Sequence, residues 1–212
     1  MAPGPEPGWD WFAISPDRGQ ASELTARLPR LRALGVRRFV LREKSCPPAA
    51  RRAIAQQVVP ACARLGIECW ISEDAALAAE AGARGVHLSE RSASPRRLAQ
   101  EFPDLHFGVS LHDPLRRPLL DVARCDHAFL GPVFATPSKA GAAGLGIEGF
   151  LRIAERLPIP VYPLGGIGAA ELDELARAGV HRAAGIRLFF ASDDIEAVRR
   201  RAVGRASART DE

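Results

Sequence analysis

The chain has 212 residues, 47% of them hydrophobic and 25% charged, with a formal net charge of +4 at pH 7, which is the composition of an average single globular domain. No apolar run reaches the roughly eighteen residues of a membrane-spanning helix, and Met1–Gly8 lacks the basic start and apolar core of a secretory signal, so we expect a cytoplasmic protein without a membrane partner. The densest basic cluster, Arg199–Arg201, has no interleaved aromatic residues to stack bases, so no nucleic-acid partner is expected.

Eight short runs rich in apolar, β-branched or aromatic residues are predicted as strands. In chain order they are Trp11–Ile14, Arg38–Leu41, Glu68–Ile71, Gly85–Leu88, His106–Ser110, Ala128–Gly131, Pro160–Leu164 and Ala183–Leu188. The segments between them carry apolar residues at three- and four-residue steps, as in Leu24, Leu28 and Leu31, which indicates amphipathic helices.

Several residues predict where helices begin and end. Asp74 is placed to cap the third helix, and Gly35, Gly82 and Gly179 stand where helix C-caps belong. Pro29 interrupts the pattern of the first helix.

Eight βα units in about 200 residues indicate an α/β fold. They favour a single (β/α)8 TIM barrel over a doubly wound sheet. We assign the barrel to residues 10–203, with a disordered lead at 1–9 and a polar tail at 204–212. In such a barrel the chemistry lies at the carboxyl ends of the strands.

The loops after strands six, seven and eight are predicted to bind a phosphate ester. Thr136 and Ser138 offer hydroxyl donors and Lys139 a compact positive charge. After strand seven, the glycines of Gly165–Gly168 let backbone N–H groups approach an anion, and Arg187 follows strand eight. The alternative is an ordinary polar loop with one solvated lysine.

Two further groups follow strands two and five. Arg42 and Lys44 flank Glu43, and two cations at a barrel mouth suit a phosphate or diphosphate, unless they are only the polar rim of a strand end. Ser110 offers a hydroxyl, and His112 is able to transfer protons near neutral pH, the alternative being a structural histidine.

The cysteines indicate neither a metal site nor a disulfide framework. They show no Cys-x-x-Cys pairing and no matching histidine spacing, and we expect them to be reduced and structural. The four are Cys46, Cys62, Cys69 and Cys125.

Five motifs occur in order along the chain: Leu41–Lys44 (LREK), Gly85–Leu88 (GVHL), Gly108–His112 (GVSLH), Gly131–Lys139 (GPVFATPSK) and Gly165–Ile167 (GGI). Together they resemble the thiamine phosphate synthase/TenI family. The resemblance covers about residues 10–190 and implies a single (β/α)8 barrel that acts in thiamine biosynthesis. Synthases of this family join a pyrimidine diphosphate to a thiazole phosphate and release pyrophosphate with Mg²⁺. TenI-type members include aromatases that tautomerise a thiazole carboxylate phosphate.

The resemblance implies two substrate regions. The thiazole phosphate site would comprise Thr136, Pro137, Ser138, Gly165, Gly166, Ile186 and Arg187. The diphosphate of a synthase would face Arg42, Lys44, Ser110 and Lys139.

The sequence departs from the synthase pattern mainly in the diphosphate half. Val40 stands where synthases usually carry Gln, Ser72–Glu73 replaces an Asn-Asp pair, and Ser92 replaces an aspartate. Magnesium held against a diphosphate needs one or two carboxylates, so these changes weaken the expected Mg²⁺ site and leave Glu73 as its candidate ligand. Arg187 replaces a serine and strengthens anion binding.

The main functional prediction is therefore a TenI-type enzyme, similar to the thiazole tautomerases, that keeps the thiazole phosphate site and has an eroded diphosphate half. Ser92–Leu98 and Phe102–His112 resemble TenI-type sequences more than synthases. The histidine expected of an aromatase after the strand-six glycine is Pro132, which leaves His112, Glu43 and Lys139 as catalytic candidates, with His87 as a further base or a buried residue.

Two alternatives remain open at this stage. One is an active thiamine phosphate synthase, a transferase, and the other is a non-catalytic protein that binds thiazole or thiamine phosphate. In each case the ligand is a small phosphorylated thiazole or pyrimidine, and a homo-oligomer is left open.

Overall fold

A computed structural model describes residues 8–112, 119–136 and 144–191, together with Ile195 and Val198. Within this part the strands are β1 (Asp10–Ile14), β2 (Arg38–Leu41), β3 (Glu68–Ser72), β4 (Gly85–Leu88), β5 (His106–Leu111), β6 (His127–Leu130), β7 (Val161–Pro163) and β8 (Arg182–Gly185). The helices are α1 (Ala21–Ala33), α2 (Pro48–Arg64), α3 (Ala75–Ala81), α4 (Pro95–Glu101), α5 (Leu119–Val122), α6 (Gly146–Ala154), α7 (Ala169–Arg177) and α8 (Arg187–Phe190).

The strands form one parallel sheet that curves into a barrel. Each strand pairs with its neighbours in the chain, and β1 also pairs with β8. Leu164, directly after β7, bridges to Ala184 of β8 and brings the remaining two edges together. The predicted (β/α)8 barrel is confirmed.

The predicted strand bounds agree with the structure to within one residue, except at the end of the last strand. That strand was predicted to run to Leu188, which is wrong, because β8 ends at Gly185 and α8 begins at Arg187. Ile186 and Leu188 are apolar, and a short apolar run does not distinguish a strand from a buried helical turn.

The predicted helix ends are confirmed. Asp74 caps α3, since its Oδ1 accepts a hydrogen bond of 2.9 Å from the backbone N of Leu77. Gly82 ends the same helix with φ +68°, and Gly35 and Gly179 follow α1 and α7 with φ +86° and +76°.

Pro29 does not interrupt α1, which continues through it to Ala33. A proline inside a helix removes one backbone hydrogen bond and costs about 3 kcal/mol. The helix buries Leu24, Leu28 and Leu31 against the barrel, and this apolar contact offsets the loss.

The apolar core has two parts. The larger part lies between the sheet and the helices, and the smaller fills the barrel interior. The interior residues are Phe12, Ile14, Val40, Trp70, Phe129, Tyr162 and Ala184, with the buried histidines His87 and His127 among them. Polar groups at the carboxyl ends of the strands therefore lie above a packed interior.

All four cysteines are free thiols, as predicted. No helix in the described part of the chain is long and apolar enough to cross a membrane. The tail at 204–212, the cluster Arg199–Arg201 and all but Gly8 and Trp9 of the lead lie outside the described residues.

Candidate active site

A cavity of about 450 Å³ opens at the carboxyl ends of β5 to β8. Its walls include six residues predicted for the site: His112, Thr136, Gly165, Gly166, Ile186 and Arg187. The loops after strands six, seven and eight, which the sequence predicted to converge, therefore line one cavity, and His112 from the loop after β5 joins them. Pro137, Ser138 and Lys139 lie outside the described residues, and their roles stay predictions.

The two glycines after β7 allow the loops after β6 and β7 to touch. Gly165 and Gly166 have φ of +92° and +70°, a conformation that other residues rarely adopt. A Cβ on Gly166 would lie 2.5 Å from the carbonyl oxygen of Ala135, and Phe134 N donates to Gly165 O at 3.1 Å. The glycines thus fix the wall of the cavity as well as leaving backbone exposed to it.

The N-terminus of α7 is capped by a side chain of the same helix. The backbone N–H of Gly168 donates to Glu171 Oε2 at 3.0 Å. A carboxylate on this N–H competes with an external anion for the same donor.

A second cationic group lies after β2. The Arg42 guanidinium is 3.4 Å from Asp17 Oδ2, and the Arg42 backbone N donates to Ser15 Oγ at 2.7 Å. Asp17 also accepts from the backbone N of Ser45 at 2.9 Å. Asp17, which the sequence reasoning missed, has φ +64° and ties the loop after β1 to the loop after β2.

Glu73 joins three strand ends. It follows β3 with φ +69°, its Oε1 lies 3.3 Å from the Lys44 ammonium, and its Oε2 accepts from the hydroxyl of Ser92. Two of the positions that depart from the synthase pattern, Glu73 and Ser92, are therefore in direct contact.

These groups offer oxygen donors of the kind that Mg²⁺ prefers. Ser89 Oγ lies 2.9 Å from Ser92 Oγ, so two hydroxyls accompany the Glu73 carboxylate. Within the described residues no cluster of three or more His, Cys, Asp or Glu side chains is present. Because Mg²⁺ commonly binds through one or two carboxylates together with water and substrate phosphates, this donor set fits the ion in chemistry.

Glu43 points into the protein. It is 4% exposed, and its Oε2 accepts from the backbone N of Gly19 at 2.6 Å, while its buried Oε1 has no hydrogen-bond partner among the described residues. Glu43 is not among the residues that line the large cavity. Its contacts are those of a residue that orders the loop after β1, and its predicted catalytic role stays a prediction.

His112 stands in the cavity wall beside a carboxylate. Its backbone N donates to Glu90 Oε1 at 3.2 Å, and its Nδ1 lies 4.0 Å from Glu90 Oε2. The Glu90 side chain is only 8% exposed, so it holds the start of this loop against the barrel.

Two histidines meet inside the barrel beneath the site. His87 Nδ1 lies 3.0 Å from His127 Nε2, and His87 Nε2 lies 2.9 Å from Ser110 Oγ. Burial and then the positive charge of Lys44 lower the pKa of His87 to about 3. Burial, followed by the charges of His87 and Arg38, lowers the pKa of His127. Both rings are therefore neutral at pH 7, and the alternative that His87 is a buried residue is confirmed.

Comparison with known proteins gives one consistent result. A family model described as thiamine monophosphate synthase matches residues 12–189. The thiamine-phosphate synthase of Bordetella bronchiseptica is 32% identical over 197 residues, which cover 89% of this chain and 91% of that protein. That of Thermus thermophilus is 30% identical over 188 residues, covering 88% and 91%.

Solved structures agree on the fold. The thiamine phosphate pyrophosphorylase from Pyrococcus furiosus superposes with a TM-score of 0.76 at 21% identity, covering 93% of this chain and 96% of that one. The relatives found by sequence are named as synthases, which matches the alternative function considered above better than the TenI-type prediction.

Proposed function

The chain belongs to the thiamine monophosphate synthase family, and we propose that it is a thiamine phosphate synthase, a transferase that joins a pyrimidine diphosphate to a thiazole phosphate and releases pyrophosphate. The observation that carries this proposal is the presence of two cationic groups at one end of the barrel, Arg42 with Lys44 after β2 and Arg187 after β8. A tautomerase that acts on one phosphate ester needs only one such group. A reaction that joins a diphosphate ester to a phosphate ester needs both cationic groups.

The thiazole phosphate is assigned to the large cavity. Thr136 supplies a hydroxyl, Gly166 an open stretch of backbone, and Arg187 a planar guanidinium that binds phosphate through two parallel hydrogen bonds. Pro132 and Leu164 give the same cavity an apolar wall against which a ring can pack. Arg187 is exposed at the rim, where it can meet a phosphate that enters from solvent.

The diphosphate is assigned to the ends of β2 to β5. As the pyrimidine is transferred, negative charge grows on the departing diphosphate, and Arg42 and Lys44 lie where they lower the energy of that charge. Ser110, at the end of β5, adds a hydroxyl. Val40 is 1% exposed in the interior core, so the floor beneath this half of the site is apolar where synthases usually carry an amide.

A divalent cation fits this half of the site. Mg²⁺, when bound, supplies positive charge to the oxygens of a leaving diphosphate. Glu73 would hold it, with the hydroxyls of Ser89 and Ser92 nearby. The Lys44 ammonium lies 3.3 Å from the other oxygen of Glu73, so one carboxylate would position both the lysine and the metal ion.

One observation favours a second candidate, the thiazole tautomerase. His112 lies in the wall of the large cavity with Glu90 close to its Nδ1, and an imidazole beside a carboxylate is able to move a proton. Against this, Pro132 occupies the wall at the position where TenI-type aromatases carry a histidine.

The two functions separate in one assay series. The purified protein is incubated with thiazole phosphate, pyrimidine diphosphate and Mg²⁺, and separately with thiazole carboxylate phosphate alone in D₂O. A synthase forms thiamine phosphate, and Arg42→Ala lowers its rate by about a hundredfold, the scale of one lost electrostatic contact in a transition state. Arg52→Ala, which removes an exposed arginine paired with Glu80, is the control and should leave the rate unchanged. Deuterium incorporation that needs no pyrimidine and is lost in His112→Gln would establish the tautomerase instead.

A further inference from the structure

A row of three hydrogen-bonded side chains crosses the barrel interior and ends at the proposed diphosphate site. It runs from His127 on β6 through His87 on β4 to Ser110 on β5, with separations of 3.0 and 2.9 Å. His87 and His127 are 5% and 3% exposed, while Ser110 is half-buried near the carboxyl end of its strand. The row therefore connects a fully buried pair to a hydroxyl that a ligand is able to reach.

The histidine pair depends on a glycine between the two strands. Gly108 of β5 is in register with His87 on one side and with His127 on the other. A Cβ on Gly108 would lie 2.2 Å from His127 Nε2 and 2.7 Å from His87 Nδ1. The two nitrogens therefore occupy the space that a side chain on Gly108 would fill.

A neutral imidazole has one donor and one acceptor nitrogen, so the row takes one of two directions. In the first, His127 Nε2–H donates to His87 Nδ1, and His87 Nε2–H donates to Ser110 Oγ. Ser110 then keeps its own hydrogen for a ligand. In the second, Ser110 donates to His87 and offers a ligand only its lone pairs.

Two charges favour the first direction. An anion at the barrel mouth accepts hydrogen bonds and needs Ser110 as a donor. At the other end of the row, Arg38 and His127 line a second cavity, at the amino ends of the strands. The positive charge of Arg38 disfavours an N–H on that side of the His127 ring, so the proton is expected at Nε2, in contact with His87.

The other charges around the row are engaged in pairs. Glu68 is 3.4 Å from Arg38 and 3.7 Å from Arg84, His106 is 2.9 Å from Asp126, and Lys44, whose charge acts on His87, is paired with Glu73. Arg38 also lies 2.9 Å from Asp10, so pairing reduces its effect on His127, and the anion at the barrel mouth is the main reason for the first direction.

We propose that His127 is a positioning residue of the anion site, which acts through His87 to hold Ser110 as a hydrogen-bond donor toward the diphosphate. The site predicted from the sequence did not include His127. The inference rests on the proposed function for the identity of the anion, whereas the row itself does not.

The tautomers test the direction without any enzymatic assay. Nitrogen-15 NMR of the histidine rings is recorded on the protein saturated with inorganic pyrophosphate and Mg²⁺. We expect His87 and His127 both to carry their proton on Nε2. A proton on Nδ1 of His87 reverses the row and overturns the proposal.

The affinity for pyrophosphate, measured by calorimetry, tests the role of His127. Gln places an amide nitrogen near the position of His Nε2, whereas the shorter Asn does not. We expect His127→Asn and Ser110→Ala each to weaken binding by about threefold to tenfold, the range of one neutral hydrogen bond. His127→Gln should retain wild-type affinity, and so should the control Tyr162→Phe, which removes a hydroxyl bonded to Asp10 and Arg38 beside the pair.

The double variant decides whether His127 acts through Ser110. Adding His127→Asn to Ser110→Ala should cause no further loss, because the path from His127 through Ser110 to the anion is already broken. Additive losses, or an unchanged affinity in His127→Asn, overturn the proposal. Failure of the wild-type protein to bind pyrophosphate also overturns it, while binding without formation of thiamine phosphate contradicts the proposed function alone.

Discussion

Lowering the pH from 7 to 5 should destabilise the fold through the buried histidine pair. The pKa of His87 falls from its ordinary value of 6.5 to about 3 in the folded protein. Between these two values the unfolded chain takes up a proton that the folded protein does not, so protons favour the unfolded state. The contribution of His87 to stability is therefore present above about pH 6.5 and is lost as the pH falls toward 3.

The size of the effect follows from the shift in pKa. Each pH unit between the two pKa values costs about 1.4 kcal/mol, so His87 alone should lower the free energy of unfolding by about 2 kcal/mol between pH 6.5 and pH 5. His127, whose pKa is also lowered, acts in the same direction. For a domain of this size, 2 kcal/mol is a substantial fraction of total stability.

Urea denaturation at pH 7, 6 and 5 measures this slope. His87→Gln removes the titrating ring and should reduce the slope, although it lowers stability at pH 7 by disturbing the pair. Tyr162→Phe is the matched control, because it alters a buried aromatic residue beside the pair that does not titrate in this range, and it should keep the full slope. Equal slopes in the wild-type protein and His87→Gln would refute the reasoning.

Three further predictions test other parts of the structure. Arg187→Ala should weaken binding of thiazole phosphate by about 1.5 kcal/mol, the low end for a charge-assisted hydrogen bond because the residue is exposed; calorimetry that finds no change would assign Arg187 to the surface. Gly108→Ala should destabilise the protein to urea by about 3 kcal/mol through overpacking against the histidine pair. Gly149→Ala in α6, whose Cβ would lie 3.5 Å from the side chain of Leu145, should be neutral or stabilising, and equal losses in the two variants would contradict the packing argument. Ser92→Asp should tighten Mg²⁺-dependent binding of pyrophosphate by about tenfold, since it adds a carboxylate beside Glu73. An unchanged Mg²⁺ dependence in calorimetry would place the ion elsewhere.

The fold was predictable because its signals are local. Short apolar runs, the helical spacing between them, and single residues such as Asp74 and Gly82 each determine an element without reference to distant parts of the chain. The chain order of these elements then leaves few possible topologies. The end of β8 was missed because Ile186 and Leu188 are apolar, and such residues suit a buried strand and a buried helical turn equally well.

The candidate site was only partly predictable because some of its contacts depend on register and on loop conformation. His127 lies within an apolar strand, and only the pairing of β4, β5 and β6 around Gly108 reveals that it meets His87. Similarly, the contact between Glu73 and Ser92 joins loops that are distant in sequence. The sequence shows that the aspartates are replaced, but not that the replacements are bonded to each other.

The most direct measurement of the central claim is thiamine phosphate formation by the purified wild-type protein with pyrimidine diphosphate, thiazole phosphate and Mg²⁺. A synthase with both halves of its site should turn over at about 1 s⁻¹ or faster, within the ordinary range for enzymes, and release one pyrophosphate for each thiamine phosphate. Binding of both substrates without any product would contradict the proposed transferase activity.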